Sequence, residues 1–356
     1  FLLLLKTEVE QQMGEEAEEI VLGRPVRFGD SPEADTLAEE RLACAAILAG
    51  YRRAYFQLEP VAAALYYQQS TGLAQKILVF DFGGGTLDVT VMELTGPARS
   101  QVLSTAGVRV AGDVFDRRIV RARLAKRLGE NLTYGEQPLA MPAHIYDDLA
   151  DWQSMLLLNR PEILNFLADV ARQTCHPEQV RALSSIIANN YGLMMFEQVE
   201  RAKIDLSSRT EAVIRLQGQD LDIEEPLQRG EFEQIIGGEA RKIAACLDEA
   251  LARAQLRHDQ IDAVVRTGGS SQIPIFQRML RARFGAEKIR PLDEFTSVTA
   301  GLAIAGRQIA EGSLQLPSYS AEILRGGRSL PAVGEHRSPV LGLRELLRRR
   351  ARLPRR

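Results

Sequence analysis

The hydrophobic pattern near the middle of the N-terminal half predicts two adjoining strands. Residues 77–80 form a continuous apolar run that ends at Asp81. Residues 87–91 alternate between apolar and polar side chains, which is the period of two typical of a strand. Three consecutive glycines and Thr86 separate the two segments. The pattern therefore predicts a hairpin whose tight turn needs the conformational freedom of glycine.

The remaining periodicity predicts an alternation of helices and strands up to about residue 306. Helices are expected at residues 1–20, 32–49, 60–67, 115–128, 191–206, 230–255 with a kink near 237–238, 274–284 and 297–306. Strands are expected at residues 26–28, 55–58, 101–105, 212–216, 221–223 and 261–266. Prolines interrupt residues 129–190, which we interpret as a helical insertion. Beyond about residue 313 the apolar and polar residues show no regular period, and residues 343–356 are strongly basic.

The glycine turn has the composition of an anion site. Backbone N–H groups without neighbouring side chains form a concave donor array that suits a phosphate. Asp81 and Asp88 flank the turn, and two carboxylates beside a phosphate imply a hard cation, Mg²⁺ or Ca²⁺. The chain has no Gly-Lys pair, as a Walker motif requires, and Asp88 stands where a Rossmann fingerprint has its third glycine. The alternative is a plain hairpin, but that needs one or two glycines rather than three between acids.

Three other segments contain residues that could contact a ligand, although the sequence evidence for each is weaker. Residues 268–270, Gly-Gly-Ser, follow a predicted strand and precede a helix, where backbone donors meet a ligand. Glu59 is either an acid that complements the start of a helix or a site residue. Glu200 and Lys203 are spaced as a solvated pair on one helix face.

Composition excludes several classes of protein. The 356 residues are 45% hydrophobic and 26% charged, which is ordinary for a soluble globular chain. The net charge of −3 gives the chain as a whole no nucleic-acid signature. The basic C-terminal segment could touch nucleic acid or an acidic membrane, but we favour a disordered tail or a short surface helix. No uncharged apolar run approaches the roughly 20 residues of a membrane span. Three widely separated cysteines suit a reducing cytoplasm and indicate neither a disulfide framework nor a zinc site.

The order of these segments resembles the actin-like ATPase superfamily, and within it the Hsp70 chaperones, over roughly residues 1–306. Five segments carry the resemblance: residues 59–65 (EPVAAAL), 81–89 (DFGGGTLDV), 112–116 (GDVFD), 200–208 (ERAKIDLSS) and 268–274 (GGSSQIP). The insertion at about 129–190 looks most like the divergent bacterial YegD-type homologues. The resemblance implies an α/β fold with two RNase H-like lobes around a nucleotide cleft. The expected division is a partial first lobe at 1–70, a second lobe at 71–306 and a tail at 307–356.

The resemblance also implies roles for individual residues. The β- and γ-phosphates of ATP would lie on Gly83, Gly84, Gly85 and Thr86. Asp81 would hold Mg²⁺ through water, while Glu59 and Asp88 would order water near the γ-phosphate. Adenosine would be bound by the side chains of Glu200, Lys203 and Ser207 and faced by the backbone of Gly268, Gly269 and Ser270.

The chain also departs from the family pattern. Ile204 and Gln272 stand where typical members have arginines at the adenine, which predicts weaker base binding. The family's first phosphate motif, Asp-x-Gly-Thr, and its catalytic lysine have no counterpart in the chain, so we expect both to lie upstream of Phe1 and the first lobe to be incomplete. No peptide-binding β-sandwich is predicted after residue 306.

We therefore expect an Hsp70-like chaperone domain in the cytoplasm that binds ATP or ADP with Mg²⁺, hydrolyses ATP and serves unfolded clients or co-chaperones. Two alternatives remain: a non-hydrolysing nucleotide-binding scaffold of the same fold, and a sugar kinase of the superfamily. The segments at 112–116 and 200–203 favour the chaperones over the kinases.

Overall fold

The computed structural model describes residues 1–29, 31–95, 100–292 and 296–327. The basic segment 343–356 lies outside these residues. Within the described ranges no helix is both long enough and apolar enough to cross a bilayer.

The chain contains both helices and strands, as predicted, but the strand expected at residues 26–28 is not formed and β1 lies before it, at Glu19–Arg24. The strands are β1 (Glu19–Arg24), β2 (Arg53–Leu58), β3 (Gln75–Phe82), β4 (Leu87–Leu94), β5 (Ser100–Val108), β6 (Thr133–Tyr134), β7 (Leu139–Ala140), β8 (Glu211–Gly218), β9 (Leu221–Gln228), β10 (Ala263–Thr267), β11 (Ile289–Pro291) and β12 (Ser318–Ser320). The helices are α1 (Leu2–Met13), α2 (Pro32–Leu48), α3 (Glu59–Thr71), α4 (Gly112–Ile119), α5 (Ala125–Arg127), α6 (Ala143–Leu149), α7 (Pro161–Gln173), α8 (Pro177–Ala188), α9 (Gly192–Ser208), α10 (Arg229–Ile235), α11 (Gly237–Arg253), α12 (Pro274–Phe284), α13 (Ser297–Ala310) and α14 (Ala321–Gly327).

A five-stranded sheet with the order β11-β10-β3-β4-β5 positions the candidate site. Strands β3, β4 and β5 are antiparallel, while β10 runs parallel to β3. Asp81 is therefore opposite Asp88 on one side and Thr267 on the other. The glycine turn and the loop after β10 consequently meet at one edge of the sheet. Three antiparallel strands followed by helix α4 confirm the predicted order of elements.

The continuous apolar run of β3 is explained by a sheet that is covered on both faces. Ile77 and Val79 pack with Ala64 and Tyr67 of α3 in one cluster. The alternate residues of β3 belong to the larger core on the other face. A strand buried on both sides cannot show a polar alternation, so its sequence is uniformly apolar.

Helices α3 and α13 approach each other very closely. A Cβ on Gly301 would lie 1.9 Å from the carbonyl oxygen of Ala62. No side chain other than hydrogen fits there, so this contact fixes the position of the helix that begins with Glu59.

The chain divides into two compact units. Of the described residues, the smaller unit comprises 1–20, 31–55 and 317–327, and the larger comprises 21–29 and those between 56 and 316. In the smaller unit, β12 pairs antiparallel with β2, and the hydroxyl of Tyr319 donates to Glu39 at 2.8 Å. The larger unit contains the five-stranded sheet and the helices that cover it.

Several predicted boundaries differ from the observed ones. The first helix ends at Met13 because Gly14 adopts φ 74°, a left-handed conformation that terminates helices. Helix α3 belongs to the larger unit. The described part of the predicted tail is ordered: α13 continues to Ala310, and β12 and α14 follow.

The segment 129–190 is largely helical, as expected for an insertion. It contains α6, α7, α8 and a 3-10 turn at Ser154–Leu158, with the short hairpin β6–β7 before them. Leu167, Val170 and Leu183 are buried in the main core of the larger unit. The insertion is therefore packed into the unit rather than appended to it.

Candidate functional site

The glycine turn does not need glycine for its backbone conformation, and in this respect the sequence-based expectation was wrong. None of Gly83, Gly84 and Gly85 has a positive φ angle. A Cβ on Gly83 or Gly85 would meet no atom within 4 Å. The fold thus leaves open space above the turn. A bound group that approaches the bare backbone would fill that space.

A cavity of about 380 Å³ opens beside this turn and gathers most of the predicted binding residues. It lies within the larger unit and is lined by Gly83, Gly84, Gly112, Asp113, Glu200, Lys203, Ile204, Ser207, Gly269, Ser270 and Ile273. Three segments far apart in sequence, the turn, α9 and the loop after β10, supply seven of the predicted residues. Gly85 and Thr86 line neighbouring cavities instead.

The loop after β10 is held against the glycine turn by a close backbone contact. Gly268 has φ +81°, and a Cβ there would lie 2.3 Å from the carbonyl oxygen of Phe82. Ser270 donates its hydroxyl hydrogen to the carbonyl of Gly83 at 2.7 Å. Gly268 therefore supports the cavity from behind and does not line it, whereas Gly269 and Ser270 do.

Lys203 is buried, contrary to the surface pair that its spacing from Glu200 predicted. Its Nζ lies 2.7 Å from Oδ2 of Asp116, and the residue is 8% exposed. Burial raises the pKa of Asp116 to about 6, although the positive charge of Lys203 acts in the opposite direction. Gly112 leaves the space that Lys203 occupies, since a Cβ there would be 3.1 Å from Nζ. This pair links α4 to α9 at the floor of the cavity.

Three carboxyl groups lie close together at the edge of the sheet. Burial, reinforced by the charges of Glu59 and Asp88, raises the pKa of Asp81 to about 7. Burial also raises the pKa of Asp88 to about 7 and the pKa of Glu59 above its usual value. The structure thus brings together the three acids that the sequence analysis proposed as catalytic.

Two glycines lie directly against these acids and help to position them. The sequence analysis did not identify either glycine. A Cβ on Gly107 would lie 2.7 Å from Oδ1 of Asp88. A Cβ on Gly23 would lie 3.0 Å from Cγ of Glu59. Asp88 also accepts hydrogen bonds from the hydroxyl of Thr86, at 3.3 Å, and from the backbone of Val26. Neither glycine lies in a glycine-rich motif, so nothing in the sequence indicated them.

Arginines were also missed near the acids. A small cavity of about 200 Å³ is lined by Thr86 and Asp88 together with Arg27 and Arg109. The positive charge of Arg24 lowers the pKa of Asp88, against the dominant effect of burial. These side chains place positive charge on the Thr86 side of the turn.

The acids would suit a Mg²⁺ ion that keeps its own waters. Within the described ranges, no group of three or more His, Cys, Asp or Glu side chains is arranged to hold a metal directly. Mg²⁺ commonly keeps several waters and takes one or two carboxylates plus the phosphates of a substrate. The pKa values of Asp81 and Asp88 are raised, so neither carboxyl group ionises easily in the absence of a ligand. A cation bound between these groups and a phosphate would stabilise their ionised forms.

Ile204, at a position where the family resemblance implies an arginine, contributes an apolar side chain to the cavity. It is 60% exposed and lines the cavity beside Ser207 and Ile273. Gln272 is exposed and does not line it. The wall of the cavity on this side is therefore aliphatic.

The family model described as Hsp70 protein matches residues 1–132 and 187–316. This chain belongs to the Hsp70 family. The fold of the Hsp70 family is the actin-like ATPase fold, and membership implies a nucleotide-binding domain. The stretch between the two matched segments, residues 133–186, falls within the insertion predicted at 129–190.

Similar curated proteins are bacterial chaperones of the same family. The chain is 28% identical to the chaperone protein DnaK of Thermosipho africanus over 325 residues, which cover 86% of this chain and 44% of that protein. The corresponding identity to the DnaK of Mycoplasmopsis agalactiae is 28% over 315 residues, covering 86% of this chain and 43% of the relative. This Hsp70-family chain therefore spans less than half the length of the relatives it matches.

Proposed function

We propose that the larger unit binds ATP with Mg²⁺ and hydrolyses it to ADP, as the ATPase part of an Hsp70-like chaperone. The observation that carries the proposal is the 380 Å³ cavity, where the glycine turn, α9 and the loop after β10 converge. These are three of the five segments on which the family resemblance rests.

The β- and γ-phosphates would bind the backbone of residues 83–86. The open space above Gly83 and Gly85 favours this placement, because a phosphate needs close access to backbone N–H groups. Asp81 would hold Mg²⁺ through water, and the metal would neutralise charge on the phosphates. Glu59 and Asp88 would orient the attacking water, and their proximity to Asp81 supports this role.

The adenosine would lie along α9. Glu200 and Ser207 are two turns apart on one face of α9 and both line the cavity. Lys203 lies between them, but its pairing with Asp116 leaves it fewer donors for a ligand. The aliphatic wall at Ile204 and Ile273 would contact the base without the stacking of a guanidinium, so adenine binding would be weak.

In the whole protein, hydrolysis would be coupled to lobe closure and to the binding of unfolded clients or co-chaperones in the cytoplasm. The names of the DnaK relatives, which are chaperone proteins, support the chaperone part of this proposal.

The decisive experiment separates binding from hydrolysis. Isothermal titration with Mg-ATP and single-turnover release of phosphate would be measured on the wild type, Asp81→Asn, Ser207→Ala and the control Asp222→Asn. Asp222 is an exposed aspartate on β9, remote from the cavity in sequence and lining a different one. We expect Asp81→Asn to reduce hydrolysis at least about 100-fold and Ser207→Ala to weaken binding about tenfold, with Asp222→Asn unchanged.

The outcomes separate ATP hydrolysis from ATP binding alone. Binding of ATP without phosphate release by the wild type would indicate the non-hydrolysing scaffold. Wild-type affinity in Ser207→Ala would contradict the proposed adenosine position.

A further inference from the structure

A second, larger cavity lies next to the candidate nucleotide cavity. Its volume is about 650 Å³, and it is bounded by the segment after α6 and the N-terminal half of α9. Asp113 and Glu200 line both cavities, so the two are contiguous. The segment after α6 lies in residues 133–186, outside the match to the Hsp70 family model.

The wall that the insertion contributes is held in place from two sides. Asp151 forms an ion pair with Arg117 of α4 and accepts hydrogen bonds from the backbone N–H groups of Gln153 and Ser154, at 3.0 Å each. Met155 packs where Gly192 begins α9, since a Cβ on Gly192 would lie 1.7 Å from Cε of Met155. Trp152, between these contacts, therefore belongs to a fixed wall.

The exposed face of this wall is unusually apolar. Trp152, the single tryptophan of the chain, is 59% exposed and lines the cavity. Leu193, at the start of α9, also lines the cavity and is 72% exposed. Leu156 and Leu157 are also exposed and extend the apolar surface along the 3-10 turn. Contiguous exposed apolar residues around an aromatic side chain are typical of surfaces that bind another protein.

The charge of the cavity is predominantly negative. Asp116 and Asp151 are paired with Lys203 and Arg117. Three further acids line the cavity, and no ion pair involves them among the described residues: Asp113, Glu197 and Glu200. One further arginine, Arg109, also lines it. The positive charges of Lys203 and Arg117 act on Asp113, so Glu197 and Glu200 are the acids that the cavity offers to a bound cation beside the exposed indole.

We propose that this cavity binds an arginine-containing, apolar segment of a partner protein. A guanidinium would stack on the indole of Trp152 and pair with the carboxylates of Glu197 and Glu200, an arrangement that suits arginine better than lysine. Apolar residues of the same segment would cover Leu156 and Leu157, which a small free cation would leave exposed. The charge complementarity and the extended apolar surface together select a peptide of this composition.

Because Asp113 and Glu200 belong to both cavities, the bound segment changes the affinity for nucleotide. This consequence rests on the proposed function, whereas binding of the segment itself does not.

The first test uses the full chain and the acetylated pentapeptide Leu-Leu-Arg-Arg-Leu with an amidated C-terminus. Trp152 is the only tryptophan, so its fluorescence reports directly on the cavity. We expect a saturable change with the arginine peptide, a weaker one with the lysine analogue and none with the glutamate analogue. No saturable change at millimolar concentration, or an equal response to the glutamate peptide, would overturn the proposal.

The second test uses a fluorescein-labelled arginine peptide and anisotropy, so that variants without tryptophan can be compared. Trp152→Ala and Glu197→Gln should each weaken binding about fivefold. The control Glu162→Gln, an exposed glutamate at the start of α7, should leave it unchanged. Circular dichroism verifies that each variant is folded, and wild-type affinity in Trp152→Ala would refute the site.

Titration of Mg-ATP in the same samples keeps this inference separate from the proposed function. Peptide binding without ATP binding would contradict only the proposed function. ATP binding without peptide binding would contradict only the inference drawn from the insertion.

Discussion

Asp81 and Asp88 face each other across two antiparallel strands, in surroundings that disfavour their ionised forms. Burial raises the pKa of each to about 7. Carboxyl groups with such raised values are characteristic of functional sites, where a ligand or metal supplies the compensating charge. Without that charge, ionisation of both groups costs folding free energy.

The first prediction concerns the pH dependence of stability without nucleotide and metal. The folded-state pKa values lie above those of the unfolded chain, so the contribution of these groups to stability is complete at low pH. It is lost as pH rises through about 7. From pH 6 to 8 the free energy of unfolding should fall by about 1–3 kcal/mol, or roughly 1–5 °C in melting temperature for a chain of this length.

Thermal denaturation in EDTA measures this fall, with Asp88→Asn as the comparison. The variant lacks one of the two titrating groups and should show a flatter dependence on pH. An identical slope in the variant would show that other groups are responsible.

The second prediction distinguishes glycines that the fold requires from glycines that the ligand requires. Gly268→Ala should lower the stability by about 2–4 kcal/mol, because φ is positive and the new Cβ overlaps the carbonyl of Phe82. Gly85→Ala should change stability by less than about 0.5 kcal/mol, because its Cβ meets open space.

The effect of Gly85→Ala should appear in the affinity for nucleotide rather than in stability. Gly85→Ala should fold normally and bind ATP about tenfold more weakly, since the added methyl group occupies space for phosphate. Chemical denaturation and calorimetric titration measure the two properties. Normal ATP affinity in Gly85→Ala would place the phosphates elsewhere.

At the scale of elements, the pairing of Lys203 with Asp116 joins α9 to α4 beneath the cavity. Both side chains are nearly buried, at 10% and 13% exposure. Removal of one member of a buried pair leaves a charge without a partner in a poorly solvated place. The lysine of the ERAK segment therefore has a structural role in addition to any contact with nucleotide.

The third prediction is that Lys203→Met destabilises the protein by about 3–5 kcal/mol. The double variant Lys203→Met with Asp116→Asn should recover much of the loss, because the unpaired charge is gone. Urea denaturation measures both. The control is Arg215→Met, which breaks an exposed pair with Glu224 and should cost less than about 1 kcal/mol. An equal loss in the single and double variants would show that packing, not charge, explains the effect.

The sequence revealed elements whose signal is local, and it missed those that depend on distant contacts. The strands β3 and β4, the glycine turn and the α9 helix follow from periodicity and composition over short windows. The partner of Lys203 is 87 residues away along the chain, so its spacing from Glu200 suggested the wrong pair. Gly107 and Gly23 matter only because Asp88 and Glu59 approach them in three dimensions.

At the scale of the whole molecule, every described residue proposed to contact nucleotide belongs to the larger unit. Of the described residues, that unit comprises 21–29 and those between 56 and 316. The elements α1 and α2 belong to the smaller unit and contribute no side chain to the cavity. Ligand binding should therefore stabilise the two units unequally.

The fourth prediction is that saturating Mg-ATP slows hydrogen exchange in β3, β4, α9 and the loop after β10, but not in α1 and α2. A ligand at 100 times its dissociation constant stabilises the form that binds it by about 2.7 kcal/mol, which corresponds to roughly 100-fold slower exchange through global opening. Mass spectrometry of peptic fragments resolves these segments. Equal protection in α1 and α2 would contradict the assignment of the site to the larger unit.

The open space above Gly83 and Gly85 has an evolutionary consequence. A side chain at Gly83 or Gly85 would not disturb the fold, so selection for folding does not act on these positions. A side chain at Gly268 or Gly301 would overlap backbone atoms, so selection for folding preserves these glycines. In a lineage that abandoned nucleotide binding, drift would replace the first two glycines and keep the other two. The pattern of glycine retention among natural variants of this chain would therefore record whether its ancestors continued to use the site.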